Sequence, residues 1–171
     1  MSESMYKVEK ATIETLPQVA IDMYMDTTYA KQVRDMIAKD LFVLFTVKEG
    51  DKYVGRCTLW LAPSDEPELR EEIPGVPLVN ALEVHPEFYR RGIASMLITV
   101  LENEVKRRGG HLLALGVEPQ NTPGRKLYEK LGFCYRDICG EKTYPAFWVE
   151  TLSDGSAKRH SIDALLMTKE L

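Results

Sequence analysis

The feature that most constrains the fold is a strand, an amphipathic helix and a second strand in immediate succession over residues 78–117. In the helix, residues 93–108, the side chains of Ile93, Met96, Leu97, Val100, Leu101 and Val105 form one stripe. Glu102, Asn103, Lys106 and Arg107 fall opposite. Lys106, Arg107 and Arg108 sit in its last turn, where they oppose the helix dipole, and Gly109 suits the position after the C-cap. Residues 78–85 read as a strand stopped by Pro86, and residues 111–117 as a short apolar strand of the kind covered on both faces. A second short helix over residues 121–131 ends at Gly132, and a strand resumes at Phe133. Strand, helix, strand, helix, strand requires crossover connections, hence parallel pairing near the middle of the sheet.

The remainder reads as antiparallel. Residues 6–13 suit an edge strand, and residues 17–26 and 29–39 show helical spacing. Residues 41–47 and 53–61 are β-rich runs joined by the polar, glycine-containing segment 48–52, which predicts a hairpin. Residues 63–77 carry four prolines and read as a surface loop. Residues 162–168 supply the last strand, after a turn-rich connection over 151–160. The class is mixed α/β, and 171 residues at 44% hydrophobic and 28% charged suit one globular domain, 1–171. No run of 18 apolar residues is present, so no membrane span is expected. The first ten residues lack an apolar h-region and read as the start of the mature domain. Cys57, Cys134 and Cys139 form an odd set without CxxC spacing, which points to a reducing cytoplasm and to no bound metal.

Net charge is −4, and residues 64–72 alone contribute −4, from Asp65, Glu66, Glu68, Glu71 and Glu72 against Arg70. The rest is nearly neutral, so a nucleic-acid surface is not expected and any anionic ligand needs a local device. Phe88-Tyr89-Arg90-Arg91-Gly92-Ile93-Ala94-Ser95 supplies one. It opens the best helix, whose first-turn amides lack intrahelical partners and lie at the positive dipole end. Gly92 and Ala94 remove bulk, and Arg90 and Arg91 add charge. Alone, the octapeptide fits a solvated arginine pair before an ordinary helix equally well. There is no GxxxxGK(S/T), GxGxxG, HExxH or GxSxG motif. His85, His111 and His160 are scattered and read as structural or solvent-facing. Cys134 and Cys139 read as small core or surface residues, and Trp60 and Trp148 as core or rim packing, with the lining of an acceptor pocket as the alternative.

The stretch Leu82-Glu83-Val84-His85-Pro86-Glu87-Phe88-Tyr89-Arg90-Arg91-Gly92-Ile93-Ala94 resembles the acyl-CoA-binding signature of the GNAT superfamily of N-acetyltransferases. Asn121-x-x-Gly124-x-x-x-Tyr128-x-x-x-Gly132-Phe133 resembles that family's second element. The resemblance is close over residues 78–135 and a matter of pattern before them. Two positions depart from it: Tyr89 where Arg or Gln is usual, and Gly124 where Ala is common.

The resemblance implies a central, mixed, largely antiparallel sheet of six to seven strands, flanked by helices and splayed between strands 4 and 5. It implies acetyl-CoA as cosubstrate, bound by Leu82, Val84, Tyr89, Arg90, Arg91, Gly92, Ile93, Ala94, Ser95, Asn121, Gly124 and Tyr128. The reaction it implies is direct attack of a primary amine, on a small molecule or peptide, in a ternary complex. A Lys-like amine has a pKa near ~10.4 and must first lose a proton. The backbone amide of Val84 is the implied oxyanion donor, and Tyr128 the implied acid for the departing thiolate. For the base, Glu83 ranks first, with Asn80 positioning water and Glu118 as alternatives; strict alternation would put Asn80 on the face of Leu82 and Glu83 on the other. The acidic 64–72 segment favours a cationic acceptor. A homodimer stays open, and so does the alternative of an acyl-CoA-binding sensor or structural module without turnover.

Overall fold

The computed structural model describes residues 5–171; residues 1–4, read above as the start of the domain, lie outside the described residues. The elements run β1 (Tyr6–Lys10), α1 (Leu16–Asp22), α2 (Thr27–Ala38), β2 (Phe42–Glu49), β3 (Lys52–Trp60), α3 (Pro67–Glu72), β4 (Leu78–Val84) and a 3₁₀ turn (Pro86–Phe88). They continue α4 (Ile93–Arg107), β5 (Leu112–Val117), α5 (Thr122–Lys130), β6 (Cys134–Arg136), β7 (Thr143–Thr151) and β8 (Ala157–Glu170). The strands form one eight-stranded sheet ordered β1-β2-β3-β4-β5-β8-β6, with β7 also on β8. Leu165 of β8 lies between Val117 and Thr143, so β6 and β7 share the edge of β8 opposite β5. Of the strand pairs among the described residues, only β4–β5 is parallel.

Helices cover both faces, and each does so through an apolar stripe. On one face α4 buries Ile93, Leu97, Ile98, Leu101 and Val105 in a cluster with Val54, Cys57, Leu59, Leu113 and Leu115. Gly55 of β3 permits that approach, since a Cβ there would stand 2.8 Å from Ile93 Cγ2. On the other face α1 and α2 bury Leu16, Val19, Met23 and Val33 with Phe42, Leu44, Tyr53 and Trp60. No helix among the described residues is long and apolar enough to cross a membrane.

Three sequence expectations need correction. The 63–77 segment is not all loop, because Pro67 at the first helical position and Glu68 in the first turn start α3. The 151–160 connection is shorter than expected: strand pairing reaches Thr151↔Ala157, leaving residues 152–156 as the turn. The segment after Gly132 divides into β6 and β7, which raises the strand count above seven. β8 lies between β5 and β6, so parallel pairing is confined to the β4–β5 contact.

Candidate active site

β4 and β5 meet only at Leu78↔Ala114 and Val79↔Leu115 and then part. A bulge in β4 shapes the opening. Arg56 pairs with Glu83 and Thr58 with Asn80, so Ala81 and Leu82 together oppose Cys57, and Ala81 takes φ +51°. The extra residue resets the alternation. Leu82 and Val84 pack into the α4-side cluster, whereas Asn80 and Glu83 both line a cavity on the other side. Asn80 therefore does not share the face of Leu82, and Glu83 faces the cavity. The His85 amide donates across to the Val54 carbonyl at 2.9 Å. Alternation then turns the peptide groups of Val84 and Leu82 away from β3, into the opening.

The 88–95 turn sits at the start of α4. Gly92 is the N-cap at φ +80°, with open space where a Cβ would be, and no acid lies in the first turn. Arg90, at φ +62°, and Tyr89 are exposed; Arg91 is exposed too, held by the Tyr6 hydroxyl at 3.2 Å and stacked 5.0 Å from the Phe88 ring. The Ile93 side chain is core, which leaves only its amide facing the turn. With half-buried Ala94 and Ser95 behind it, the turn offers free amides, small side chains and two cations, which fits a diphosphate. Asn121 caps α5 by accepting from the Gly124 amide at 3.0 Å. A Cβ at 124 would stand 2.6 Å from Asn121 Nδ2, which explains glycine there. Both residues thus build the helix start that carries Tyr128.

The cavity, about 700 Å³, runs from the α1–α2 loop and β7 through the opening to Asn121 and Tyr128 of α5. Its floor is a polar chain that was not anticipated. Arg56, 4% exposed, donates to Glu83 Oε2 at 2.9 Å and lies 5.4 Å over the Tyr29 ring. The Tyr29 hydroxyl donates to Asn80 Oδ1 at 2.8 Å and lies 2.9 Å from the Thr58 hydroxyl. Burial pushes the Tyr29 phenol up to about 12. Tyr128 packs edge-on against Phe133 at 5.9 Å, and burial, with the Cys57 thiol behind it, raises its pKa to about 12. Its hydroxyl makes no hydrogen bond among the described residues, so it stays protonated and available.

Of the acidic segment, Asp65 and Glu66 line the cavity, joined there by Asp26, Glu83 and Glu118. Burial and the neighbouring Glu66 raise the Asp65 carboxyl. Glu72 is turned away instead, binding Arg136 at 3.1 Å and the Cys139 amide at 3.2 Å. Trp60 packs against Phe42 at 4.5 Å, and Trp148 stacks on His160 at 5.1 Å; both also line the cavity. His85 is buried with Nε2 2.6 Å from the Asp22 carbonyl, a structural arrangement. All three cysteines are free. Sequence reading missed Tyr29, Arg56, Thr58 and Tyr144, which come from strands and a helix far apart in the chain; an arginine at the centre of a mostly apolar strand was the one available signal.

The model of the acetyltransferase (GNAT) family matches residues 7–133. A curated relative, the [ribosomal protein bS18]-alanine N-acetyltransferase of Haemophilus ducreyi, is 36% identical over 86 residues, 50% of this chain and 54% of that protein. The matched part therefore spans about half the length of that relative. Among solved structures, the ribosomal-protein alanine N-acetyltransferase of Escherichia coli superposes with TM-score 0.61 at 19% identity, covering 97% of this chain and 94% of the other. For yncA from Salmonella typhimurium, solved with acetyl-CoA, the values are 0.67 and 18%, covering 98% and 95%. With a split sheet, a glycine-capped α4 and a family match over three-quarters of its length, this chain belongs to the GNAT acetyltransferase family.

Proposed function

We propose that the chain transfers the acetyl group of acetyl-CoA to a primary amine. The observation that carries this reading is a single opening between β4 and β5 with a cation-flanked helix start on one side and an acid-lined cavity on the other. Acetyl-CoA supplies a thioester as the acyl donor. Arg90, Arg91 and the amides of Gly92, Ile93, Ala94 and Ser95 bind its diphosphate. The peptide groups of Leu82 and Val84 hold its arm in the opening, and the Val84 amide steadies negative charge on the acyl oxygen. Tyr128, kept protonated by burial, gives a proton or hydrogen bond to the sulfur.

On the cavity side, Asp65, Glu66, Glu83 and Glu118 against a single Arg56 favour a cationic acceptor. Glu83 takes a proton from it directly or through water, with Arg56 fixing the carboxylate. The test pairs binding with turnover. Calorimetry should find acetyl-CoA binding to the parent and roughly tenfold weaker or worse, about 1.4 kcal/mol, to Gly92→Val. At a hundredfold excess over Kd the cosubstrate should stabilise the parent by about 2.7 kcal/mol. Thiol release in the presence of an amine panel separates an enzyme from a binding module. A melt indifferent to millimolar acetyl-CoA overturns the reading.

A further inference from the structure

Tyr144, the second residue of β7, is 4% exposed, and its ring is buried with Leu69, Ile73, Ala114, Ile138, Ala164 and Leu166. Its phenol ends in the cavity, against Gly116 of β5. The fit is interlocked: a Cβ at 116 would run into the Tyr144 hydroxyl and stand 3.2 Å from Cζ. Gly116 comes just after β5 has left β4, so the hydroxyl occupies the space a β5 side chain would take beside the opening. The hydroxyl makes no hydrogen bond among the described residues and is open to the cavity, so its donor and acceptor sites are on offer to whatever enters. Burial, and then the charge of Glu66, push its ionisation well up, so it stays neutral. Glu66 accepts from the Ser64 hydroxyl at 2.6 Å and from the Phe147 amide at 3.4 Å, one bond to each carboxylate oxygen, which leaves lone pairs spare.

We propose that the Tyr144 hydroxyl, docked over Gly116, is the seat of the acceptor nitrogen. It accepts a hydrogen bond from that nitrogen and holds it at the opening, with Glu66 supplying the negative field. The proposal rests on the acetyl-transfer reading only in taking that nitrogen as the nucleophile. A phenol that does not ionise cannot serve as the base, so Tyr144 is a positioning residue. The deprotonation stays with Glu83, directly or through water.

The experiment measures binding of glycinamide, benzylamine and 1,4-diaminobutane to the CoA-loaded protein, beside turnover of the same amines with acetyl-CoA. Tyr144→Phe keeps the ring and deletes one oxygen. It should weaken amine binding and raise the amine KM about tenfold, as for loss of one hydrogen bond to a charged group. Acetyl-CoA affinity and melting temperature should stay put, a split that a purely structural role does not produce. Gly116→Ala should reproduce the loss, because its methyl evicts the hydroxyl. In the Tyr144→Phe background the same alanine should add less than about twofold. Equal amine affinity in parent and Tyr144→Phe, additive effects of the two substitutions, or no amine binding by the parent overturns the proposal. Tyr144-dependent amine binding without turnover upholds the seat and removes the acetyl-transfer reading instead.

Discussion

Ala81 sits in a left-handed conformation in the middle of a strand, and that one residue decides which side chains face the cavity. Nothing in the tetrapeptide Asn80-Ala81-Leu82-Glu83 announces it, because alanine there obeys no turn rule and the strain is borne by the surrounding sheet. The 88–95 turn was legible for the opposite reason: a glycine, small residues and arginines ahead of an amphipathic helix each have a local cause. Tyr128 belongs with the legible residues, since its distance from Asn121 is a helical spacing. Tyr128→Phe should lower kcat about a hundredfold, the low end for loss of a general acid, because a thiol is already a fair leaving group. Acetyl-CoA affinity and melting temperature should change little. With its pKa raised to about 12, the phenol stays protonated through alkaline assays. The parent's kcat should therefore show no descending limb from Tyr128 between about pH 8 and about pH 10. A variant with parental kcat, with chemistry rate-limiting, removes Tyr128 from the mechanism.

At the scale of elements, the cavity exists because two pieces distant in sequence are tied together. Asp26 caps α2, its Oδ1 accepting from the Thr28 and Tyr29 amides at 2.9 and 3.1 Å. The same carboxylate accepts from the Thr151 amide at 2.8 Å, at the far end of β7, and the Thr28 and Thr151 hydroxyls meet beside it. Burial alone would raise this carboxyl, but the hydrogen bonds from Thr151, Tyr29 and Thr28 hold it below its ordinary range. Helix α2 was readable from its spacing, and Asp26 suits a cap. The tie to β7 was not readable, because the sequence predicts one strand from Phe133 onward and marks neither where β7 begins nor what its far end meets. Its sequence, TYPAFWVET, shows no clean alternation and contains Pro145, which an edge strand tolerates and a central strand does not. Asp26→Ala should cost about 2 kcal/mol, the upper range for a lost cap. By freeing β7 it should also raise the amine KM while leaving acetyl-CoA affinity alone. Unchanged urea unfolding with an unchanged amine KM disposes of the tie.

Across the whole molecule, one buried carboxylate joins the C-terminal end of α4 to the N-terminal half of the chain. Glu104 is 6% exposed and accepts from Arg107 at 2.5 and 3.0 Å and from Arg108 at 2.8 Å, with Lys10 of β1 at 3.5 Å. Arg108 continues the link to Asp40, between α2 and β2, at 2.8 and 3.0 Å. The arginines were readable as dipole partners at the end of α4. Their second role depends on β1 and the 40-turn folding back onto the helix, which no local spacing reports. Hydrogen bonds from Arg107 hold the Glu104 carboxyl at about 2, against an ordinary 4.5, despite the opposing effect of burial. A carboxyl whose pKa falls on folding stabilises the native state above its unfolded value, and that contribution is lost as pH drops toward the folded one. Since Arg107 is largely exposed and screened, its worth at neutral pH is about 2 kcal/mol. Glu104→Gln should therefore lower stability by about that amount near pH 7, measured by urea unfolding. The gap between parent and variant should narrow below about pH 4.5, as the unfolded parent takes up the proton, and should nearly close by about pH 2. A gap that stays constant from neutral pH into acid would mean that Glu104 acts through packing and not through its charge.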